Sequence, residues 1–350
     1  SPTSSLAPPV KVPETGRGRP RRPAVKLSDY RTLGRSGLRV SPLCLGTMTF
    51  GTEWGWGADE SASRTQYDRY RELGGNFIDT ANFYTEGTSE RLLGEFLKGH
   101  RDEVVVATKY TLNMRPGDPN AGGNGRKSLF QSLHASLERL GTDYIDLYWV
   151  HMDDGITPME ETMRALDDAV RQGKILHVGV SDAPAWKVSR MNLLAEWKGW
   201  SPFVGLQIEY SLIERTVERD LIPMAIELGL GVTPWSPLGM GVLAGKYTEA
   251  DLDPATASAG EGRHGRGLQT GKLNAGTLRI ADEAKRIGEK HGVSASRVSI
   301  AWLLSRPGVA SPILGARKPE QLDDTLAALD LTLDADDLAA LDAVSAIDLG

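Results

Sequence analysis

The 350-residue sequence predicts an α/β fold, namely a (β/α)8 TIM barrel whose bottom is closed by an N-terminal β-hairpin. Two observations lead to this prediction. Eight short apolar runs recur after residue 30, and helical patterns lie between them. The runs are almost continuously apolar, which is typical of parallel strands buried on both faces. An open doubly wound sheet is the alternative, but the single rhythm, without a break in composition, favours one barrel domain over residues 30–350.

The predicted elements follow in chain order. Residues 31–41 (RTLGRSGLRVS) predict the hairpin. The strand candidates are residues 42–46, 76–79, 104–109, 145–151, 175–181, 204–210, 231–236 and 310–315. The helical patterns are residues 89–100, 127–141, 158–173, 277–291 and 295–305. Ser89 is an N-cap candidate, Pro158 suits a first helical position, and Gly141 and Gly173 suit helix C-termini.

Composition excludes several classes of protein. The net charge of −6 argues against a dedicated nucleic-acid binder. No run of about 18 apolar residues occurs, so no membrane span is expected. The single cysteine, Cys44, excludes a disulfide framework and multi-cysteine metal sites, and a cytoplasmic setting is expected. Residues 1–29 hold six prolines and six Lys/Arg against two acids, which predicts a disordered tail.

Polar residues end three successive strand candidates. Asp79, Lys109 and His151 stand at the C-terminal ends, where a barrel has its active site, and Tyr84 follows Asp79 by five residues. A phenol has a pKa of about 10, so we expect Lys109 to lower the pKa of Tyr84 while Asp79 keeps the lysine charged. A neutral His151 would orient a substrate oxygen. Such a set donates a proton to a carbonyl oxygen, and the hydride that the carbon needs points to a nicotinamide cofactor.

Seven segments resemble motifs of the aldo-keto reductases. They are DTANFYTEGTSERLLG (79–94), ATKY (107–110), LYWVHMDD (147–154), HVGVSD (177–182), QIEYSLI (207–213), PWSPLGMGVLAGKY (234–247) and PILGARKPEQL (312–322). The resemblance spans about residues 30–345 and is greatest to the bacterial and potassium-channel β-subunit branches. It implies a barrel that binds NADP(H) without a Rossmann domain and reversibly reduces a small aldehyde or ketone to an alcohol. Asp79, Tyr84, Lys109 and His151 match the catalytic tetrad.

The resemblance also assigns residues that bind the cofactor. Ser181, Asp182 and Gln207 match positions that hold the nicotinamide carboxamide, and Trp235 matches the aromatic residue that stacks on the ring. The others are Gly46, Thr47 and Met48 after the first strand, Ser236, Pro237, Leu238, Gly239 and Lys246 at the pyrophosphate, and Gly315, Arg317, Gln321 and Asp324 at the adenosine 2′-phosphate and ribose. Three positions depart from the family pattern: Thr85 replaces Gly, and Asp182 and Thr325 replace Asn.

The substrate pocket and the loops are assigned less directly. Trp54 and Trp56 lie in a glycine-rich loop and, with Tyr110 and Met152, are the predicted walls of the substrate pocket. Residues 239–244 (GMGVLA) fit a dinucleotide fingerprint, but no helix follows them, so a Rossmann site is not expected. Residues 248–273 are expected to form a mobile loop over the cofactor or substrate, or else to be disordered. The six histidines show no zinc-like spacing, so no metal site is expected.

Two other functions stay open at this point. Lys109 ends a barrel strand and could form a Schiff base, as in an aldolase, if its pKa were depressed. The branch resemblance also allows a redox-sensing regulatory subunit that binds NADPH without turning it over.

Overall fold

The computed structural model describes residues 25–253, 255 and 263–348, and it contains a closed parallel barrel. Strands β1 (Arg31–Thr32) and β2 (Arg39–Val40) form an antiparallel hairpin. The barrel strands are β3 (Cys44–Gly46), β4 (Phe77–Asp79), β5 (Val105–Tyr110), β6 (Ile145–Val150), β7 (Ile175–Ser181), β8 (Phe203–Glu209), β9 (Gly231–Trp235) and β10 (Ile313–Leu314). All seven neighbouring pairs in the order β10-β3-β4-β5-β6-β7-β8-β9 are parallel.

The two ends of the sheet meet beside β10. Val232 on β9 donates its backbone N–H to Gly308 at 3.0 Å and accepts from Ala310 at 2.8 Å. This bridge closes the ring, so the predicted (β/α)8 barrel is confirmed and the open sheet is excluded.

Helices surround the barrel. They are α1 (Glu60–Glu72), α2 (Thr88–Phe96), α3 (Arg126–Leu140), α4 (Met159–Arg171), α5 (Ala185–Lys198), α6 (Leu221–Leu228), α7 (Arg263–Gln269), α8 (Ala275–His291), α9 (Ala295–Leu304), α10 (Pro319–Leu326) and α11 (Ala335–Val344). The five helical patterns correspond to α2, α3, α4, α8 and α9. Gly141 ends α3 in the left-handed conformation expected of a C-cap, whereas Pro158 lies one position before the first residue of α4. Among the described helices, none has the length and apolarity needed to cross a bilayer.

The hairpin closes the N-terminal end of the barrel, as predicted. Leu33 is fully buried and packs among the side chains inside the barrel. Gly34 has φ +57°, and a Cβ there would lie 2.4–2.6 Å from backbone atoms of Val204, Gly229 and Gly231. Only glycine therefore allows the turn to approach the starts of β8 and β9 this closely.

Trp149 fills the centre of the barrel. Its ring lies against β7 and β8 at two glycines, where an added Cβ would come within 2.3 Å at Gly179 and 2.8 Å at Gly205. The tryptophan and the two glycines therefore form one layer of the interior. The large ring fits only because the two residues opposite it have no side chain.

The folded chain begins before the predicted boundary at residue 30. Leu27 is buried, and Asp29 closes a turn with its N–H on the carbonyl of Lys26 at 3.0 Å. Within residues 25–29 of the predicted tail, Leu27 packs into the apolar layer between helices and sheet. Residues 1–24 lie outside the described residues.

Replacing Gly34 with alanine should destabilise the protein. The new Cβ would meet backbone atoms from three directions, and the residue would keep a left-handed conformation that costs about 1–2 kcal/mol for an L-residue. We expect a lower melting temperature in a thermal unfolding experiment. Gly37→Ala in the same hairpin is the matched control, since no atom beyond its two chain neighbours lies within 4 Å of its added Cβ. Equal melting temperatures for the two variants would contradict the close approach at Gly34.

Candidate active site

A buried carboxylate lies at the C-terminal end of β4. Asp79 is 2% exposed, and both of its oxygens are occupied. Lys109 Nζ donates to Oδ1, while Trp149 Nε1 and Gln207 Nε2 each donate to Oδ2 at 3.0 Å. The donors come from β5, β6 and β8, so this carboxylate joins side chains across the whole interior of the barrel. A buried charge is tolerated because its hydrogen-bonding capacity is met in this way.

Lys109 links the Asp79 carboxylate to Tyr84 at the barrel mouth. Its ammonium group also donates to the Thr80 carbonyl at 2.8 Å and to the Tyr84 hydroxyl at 3.1 Å. Burial lowers the pKa of Lys109, but the negative charge of Asp79 and the phenol of Tyr84 more than offset it, and the pKa is raised. The lysine is therefore an ammonium ion at neutral pH. This protonation state disfavours the aldolase alternative, which needs a free amine.

Tyr84 begins a short 3-10 turn, Tyr84–Gly87, and four residues separate it from the end of β4. Burial raises the pKa of its phenol, and the opposing effect of Lys109 does not cancel this increase. Lys109 lowers the pKa of Tyr84, as expected, but the loss of solvation on burial outweighs this one neighbouring cation. The phenol of Tyr84 therefore keeps its proton. The ammonium group of Lys109, which donates to the hydroxyl, is positioned to stabilise the phenolate once the proton leaves.

His151 completes the cluster from the end of β6. Its ring lies edge-on to Tyr84 with the centroids 6.2 Å apart. Burial, and then the charge of Lys109, lower the pKa of His151 to about 3, so the imidazole is neutral, as expected. Its Nδ1 is buried without a hydrogen-bond partner among the described residues. The four residues that the sequence predicts as a tetrad are thus brought together.

An aromatic wall stands beside Tyr84. The ring of Trp54 contacts Tyr84, Phe83 and Trp56 at centroid distances of 6.4, 5.7 and 5.6 Å. Met152 is 38% exposed at the same rim. Sequence reasoning missed Phe83; its place directly before the tyrosine is a signal that could have identified it.

Tyr110 does not lie at the mouth. It is fully buried and stacks on Tyr148 with the ring centroids 5.3 Å apart. Side chains alternate along a strand, and because Lys109 points into the barrel, Tyr110 points outward to the helices. Its assignment to the substrate pocket is therefore corrected.

The residues assigned to the nicotinamide end converge on the mouth. Ser181 is buried at the end of β7, and Asp182 follows it with φ +41°. Trp235 at the end of β9 donates its indole N–H to Asp182 Oδ1 at 3.2 Å. Gln207 lies below them, with its amide group on Asp79.

The segment after β9 has an unusual backbone. Ser236, Gly239, Met240 and Gly241 all have positive φ. The Oγ of Ser236 accepts the N–H of Met240 at 3.2 Å, and a Cβ on Gly239 would lie 2.2 Å from Ile213. Pro237 is buried and Leu238 half-buried within this turn, and Lys246 is exposed beside Gly241, its Nζ 3.9 Å from where a Cβ of Gly241 would stand. A tight turn of this kind with a nearby cation suits a phosphate group.

The segment after β10 provides more cations. Gly315, Arg317 and Lys318 are exposed, and Arg317 makes no ion pair within the described part of the chain. Gln321 Oε1 accepts the backbone N–H groups of Arg317 and Lys318 at 3.1 and 3.3 Å, which orders the start of α10.

Of four further assigned residues, two, Asp324 and Thr47, have polar partners within the protein. Asp324 forms an ion pair with Arg297 at 2.8 Å, so its carboxylate is engaged between helices. Gly46 needs to be small, because an added Cβ would lie 2.6 Å from Ile313. Thr47 Oγ1 donates to the Asp79 carbonyl at 3.1 Å, and Met48 is 42% exposed.

The groups at the barrel mouth can be compared with the chemical groups of NADP(H). It presents an orphaned imidazole nitrogen, a half-exposed indole, a tight left-handed turn and the exposed cations Lys246, Arg317 and Lys318. A dinucleotide phosphate offers an aromatic ring and several anionic groups, which match these partners in chemistry.

The segment predicted as a mobile loop is partly described. Its residues 254 and 256–262 lie outside the described residues. In the remainder, Leu273 is buried against Val242 and Leu278, and Lys272 pairs with Glu209 at 2.5 Å. The C-terminal part of this segment is therefore fastened to the end of β8.

One cluster could suggest a metal ion. His291, Asp334 and Asp337 lie close together, but Lys290 Nζ bonds both carboxylates at 2.9 and 2.7 Å. The cluster is therefore an ion-pair network between α8 and α11, in which Lys290 supplies the positive charge next to the two carboxylates.

The chain is similar to known proteins over most of its length. The profile of the Aldo/keto reductase family matches residues 42–346. The chain is 38% identical to norsolorinic acid reductase of Aspergillus flavus, covering 94% of this chain and 84% of that protein. It is also 38% identical to aryl-alcohol dehydrogenase [NADP(+)] of Phanerodontia chrysosporium (91% and 86%) and to the uncharacterized oxidoreductase YrpG of Bacillus subtilis (89% and 94%). None of these three names concerns a channel subunit, so the narrower branch assignment is not confirmed.

The Asp79–Lys109 pair should contribute to stability as well as to the chemistry. Lys109→Met would leave a buried carboxylate with neutral donors alone, and breaking a buried pair in this way costs about 3–5 kcal/mol. We expect that loss in the free energy of unfolding, measured by urea titration. Asp79→Asn in the same chain should restore part of it, because no uncompensated charge then remains. Strictly additive losses in the double variant would contradict the pairing.

Proposed function

This chain belongs to the aldo/keto reductase family and is an oxidoreductase, and we propose that it reversibly reduces an aldehyde or ketone to an alcohol with NADPH as hydride donor and Tyr84 as proton donor. The observation that carries the proposal is the hydrogen bond between Lys109 Nζ and the Tyr84 hydroxyl, 3.1 Å long, in a cluster that holds a neutral His151.

The side chains divide the work of proton transfer. NADPH, when bound, supplies the hydride that the carbonyl carbon accepts. The Tyr84 hydroxyl donates its proton to the carbonyl oxygen as negative charge develops there. His151, neutral and beside Tyr84, hydrogen-bonds the same oxygen and fixes its position.

Lys109 and Asp79 make this proton transfer possible. As the phenol loses its proton, the ammonium of Lys109 stabilises the phenolate over the 3.1 Å hydrogen bond. Asp79 keeps Lys109 charged and in place. In the oxidation of an alcohol the same phenolate accepts the hydroxyl proton, so the cluster serves both directions.

The cofactor would lie across the C-terminal strand ends. Trp235, half-exposed at the end of β9, offers a face for the nicotinamide ring, next to Ser181 and Gln207. Lys246 and the left-handed turn after β9 would hold the pyrophosphate, and Arg317 at the start of α10 would hold the 2′-phosphate. The name of the Phanerodontia chrysosporium relative includes NADP(+), which supports this choice of cofactor.

The substrate is inferred to be an aromatic aldehyde, ketone or alcohol. Trp54, Trp56 and Phe83 form an apolar wall that reaches the ring of Tyr84. Aromatic rings prefer offset or edge-to-face contact with such side chains. The name aryl-alcohol dehydrogenase of a relative with 38% identity supports the same class.

The proposal is tested by NADPH consumption with a panel of aromatic aldehydes, aliphatic aldehydes, quinones and ring ketones. We expect turnover with at least the aromatic aldehydes. Tyr84→Phe should lose about 10²–10⁴-fold in turnover, because the general acid is removed while the ring remains. The matched control is Tyr110→Phe, which removes a buried hydroxyl outside the mouth. A Tyr84→Phe variant that keeps more than about a tenth of the activity, with chemistry rate-limiting, would assign the acid to another group.

Arg317→Ala should weaken NADPH but not NADH. The exposed guanidinium has no ion-pair partner within the described chain, and only NADPH has a 2′-phosphate for it to contact. A hydrogen bond to a charged group is worth about 1.5–3 kcal/mol, so the dissociation constant of NADPH should rise about 10–150-fold. Isothermal titration with both cofactors measures the difference, and Lys318→Ala should give a smaller one. Equal weakening of the two cofactors would indicate general damage to the segment.

A further inference from the structure

Asp182 carries a carboxylate that faces the cofactor cleft. The residue directly follows β7 in a left-handed conformation, with φ +41°, which asparagine and aspartate tolerate better than most residues. Its backbone is fixed on both sides: the N–H donates to the Gln207 carbonyl at 3.2 Å, and the carbonyl accepts from Asp153 at 3.4 Å. The side chain accepts the indole N–H of Trp235, and its charge acts on Tyr84 and Lys109, so the carboxylate lies on the side of the barrel mouth.

The carboxylate has no cationic partner. Among the described residues, no Lys or Arg lies within ion-pair distance of Asp182, and its resolved side-chain hydrogen bond is the one from Trp235 Nε1 at 3.2 Å. The titratable and charged groups around it are Tyr84 after β4, Lys109 on β5, Asp153 after β6, Lys187 on α5, Glu209 at the end of β8 and Glu214 in the loop that follows β8.

Most of these neighbours are already neutralised. Lys109 is paired with Asp79, Lys187 with Asp153 at 2.5 Å, and Glu209 with Lys272 at 2.5 Å. Glu214 accepts hydrogen bonds from Thr216 and lies further along the cleft wall. Asp182 is therefore the unpaired acid next to the indole that is proposed to stack on the nicotinamide ring.

We propose that Asp182 makes the cleft bind the oxidised cofactor, whose nicotinamide ring is a cation, more tightly than the reduced cofactor, whose ring is neutral. This inference rests on the proposed NADP(H) function and on Trp235 as the stacking residue. An asparagine would offer the same shape and the same acceptor to Trp235, but it would bring no charge. The carboxylate thus gives the site a discrimination between the two redox forms that an amide lacks.

Discrimination between the two forms changes the chemistry of the bound cofactor. Tighter binding of the oxidised form lowers the reduction potential of the bound pair, by about 30 mV for each tenfold difference in affinity. NADPH held in this cleft would then be a stronger hydride donor than NADPH in water.

The charge on Asp182 also predicts the direction of a pH effect. Burial, aided by the charge of Glu209, raises the pKa of Asp182 to about 6, against the opposing effects of the Trp235 hydrogen bond and Lys109. The carboxylate is ionised above this pH and attracts the ring cation there. Below it the acid is neutral, and the preference for the oxidised form should be lost.

The test is isothermal titration of NADP+ and NADPH into the wild-type protein and Asp182→Asn, at pH 7.5 and pH 5.5. The quantity compared is the ratio of the NADPH to the NADP+ dissociation constant, since titration of the 2′-phosphate affects both cofactors alike. We expect this ratio to be about tenfold larger in the wild type than in the variant at pH 7.5. A tenfold difference corresponds to a pKa of Asp182 that is about one unit lower with NADP+ bound than with NADPH bound. At pH 5.5 the two ratios should approach each other.

Glu214→Gln is the matched control, because it removes one negative charge from the same cleft. It should leave the ratio near that of the wild type. Equal ratios for the wild type and Asp182→Asn at pH 7.5, or an equally large change in Glu214→Gln, would overturn the inference. If neither cofactor binds the wild type, the proposed function itself fails, which is a different outcome from an unchanged ratio.

Discussion

The buried carboxylate of Asp79 is the point where the core of the barrel and its chemistry meet. It accepts from Lys109, Trp149 and Gln207, which belong to three other strands. Trp149 in turn fills the interior only because Gly179 leaves room for its ring. A change in packing at the centre of the barrel therefore affects Lys109, which hydrogen-bonds Tyr84. The effect passes through two contacts, from Trp149 to Asp79 and from Asp79 to Lys109. This coupling requires the interior of the barrel to be well packed for the proton donor to be held in place.

Much of this arrangement could be predicted from the sequence. Continuous apolar runs identify the strands, because both faces of a parallel barrel strand are buried. The ends of parallel strands meet at one edge, so Asp79, Lys109 and His151 could be placed together without coordinates. The motif resemblance assigns roles to these residues and to Tyr84.

Other features depend on interatomic distances and on burial, which a sequence pattern does not contain. Tyr110 is among the predicted walls of the pocket, yet alternation along the strand turns its side chain away from the mouth. The pKa of Tyr84 depends on a balance between burial and one cation, and the sign of that balance requires the extent of burial. The hydrogen bond from Trp149 to Asp79 joins residues 70 positions apart, and neither residue type predicts the other.

Backbone strain is confined to one end of the molecule. All non-glycine residues with positive φ in the described chain follow C-terminal strand ends: Thr85, Glu86, Thr111, Asp182, Ser236 and Met240. Such conformations cost about 1–3 kcal/mol each and persist only where the surrounding structure enforces them. The hairpin end, by contrast, uses glycine at Gly34 and stores no such strain. The strained backbone therefore lies in the loops that carry the candidate site, and the hairpin and the strands that hold the barrel together are free of it among the described residues.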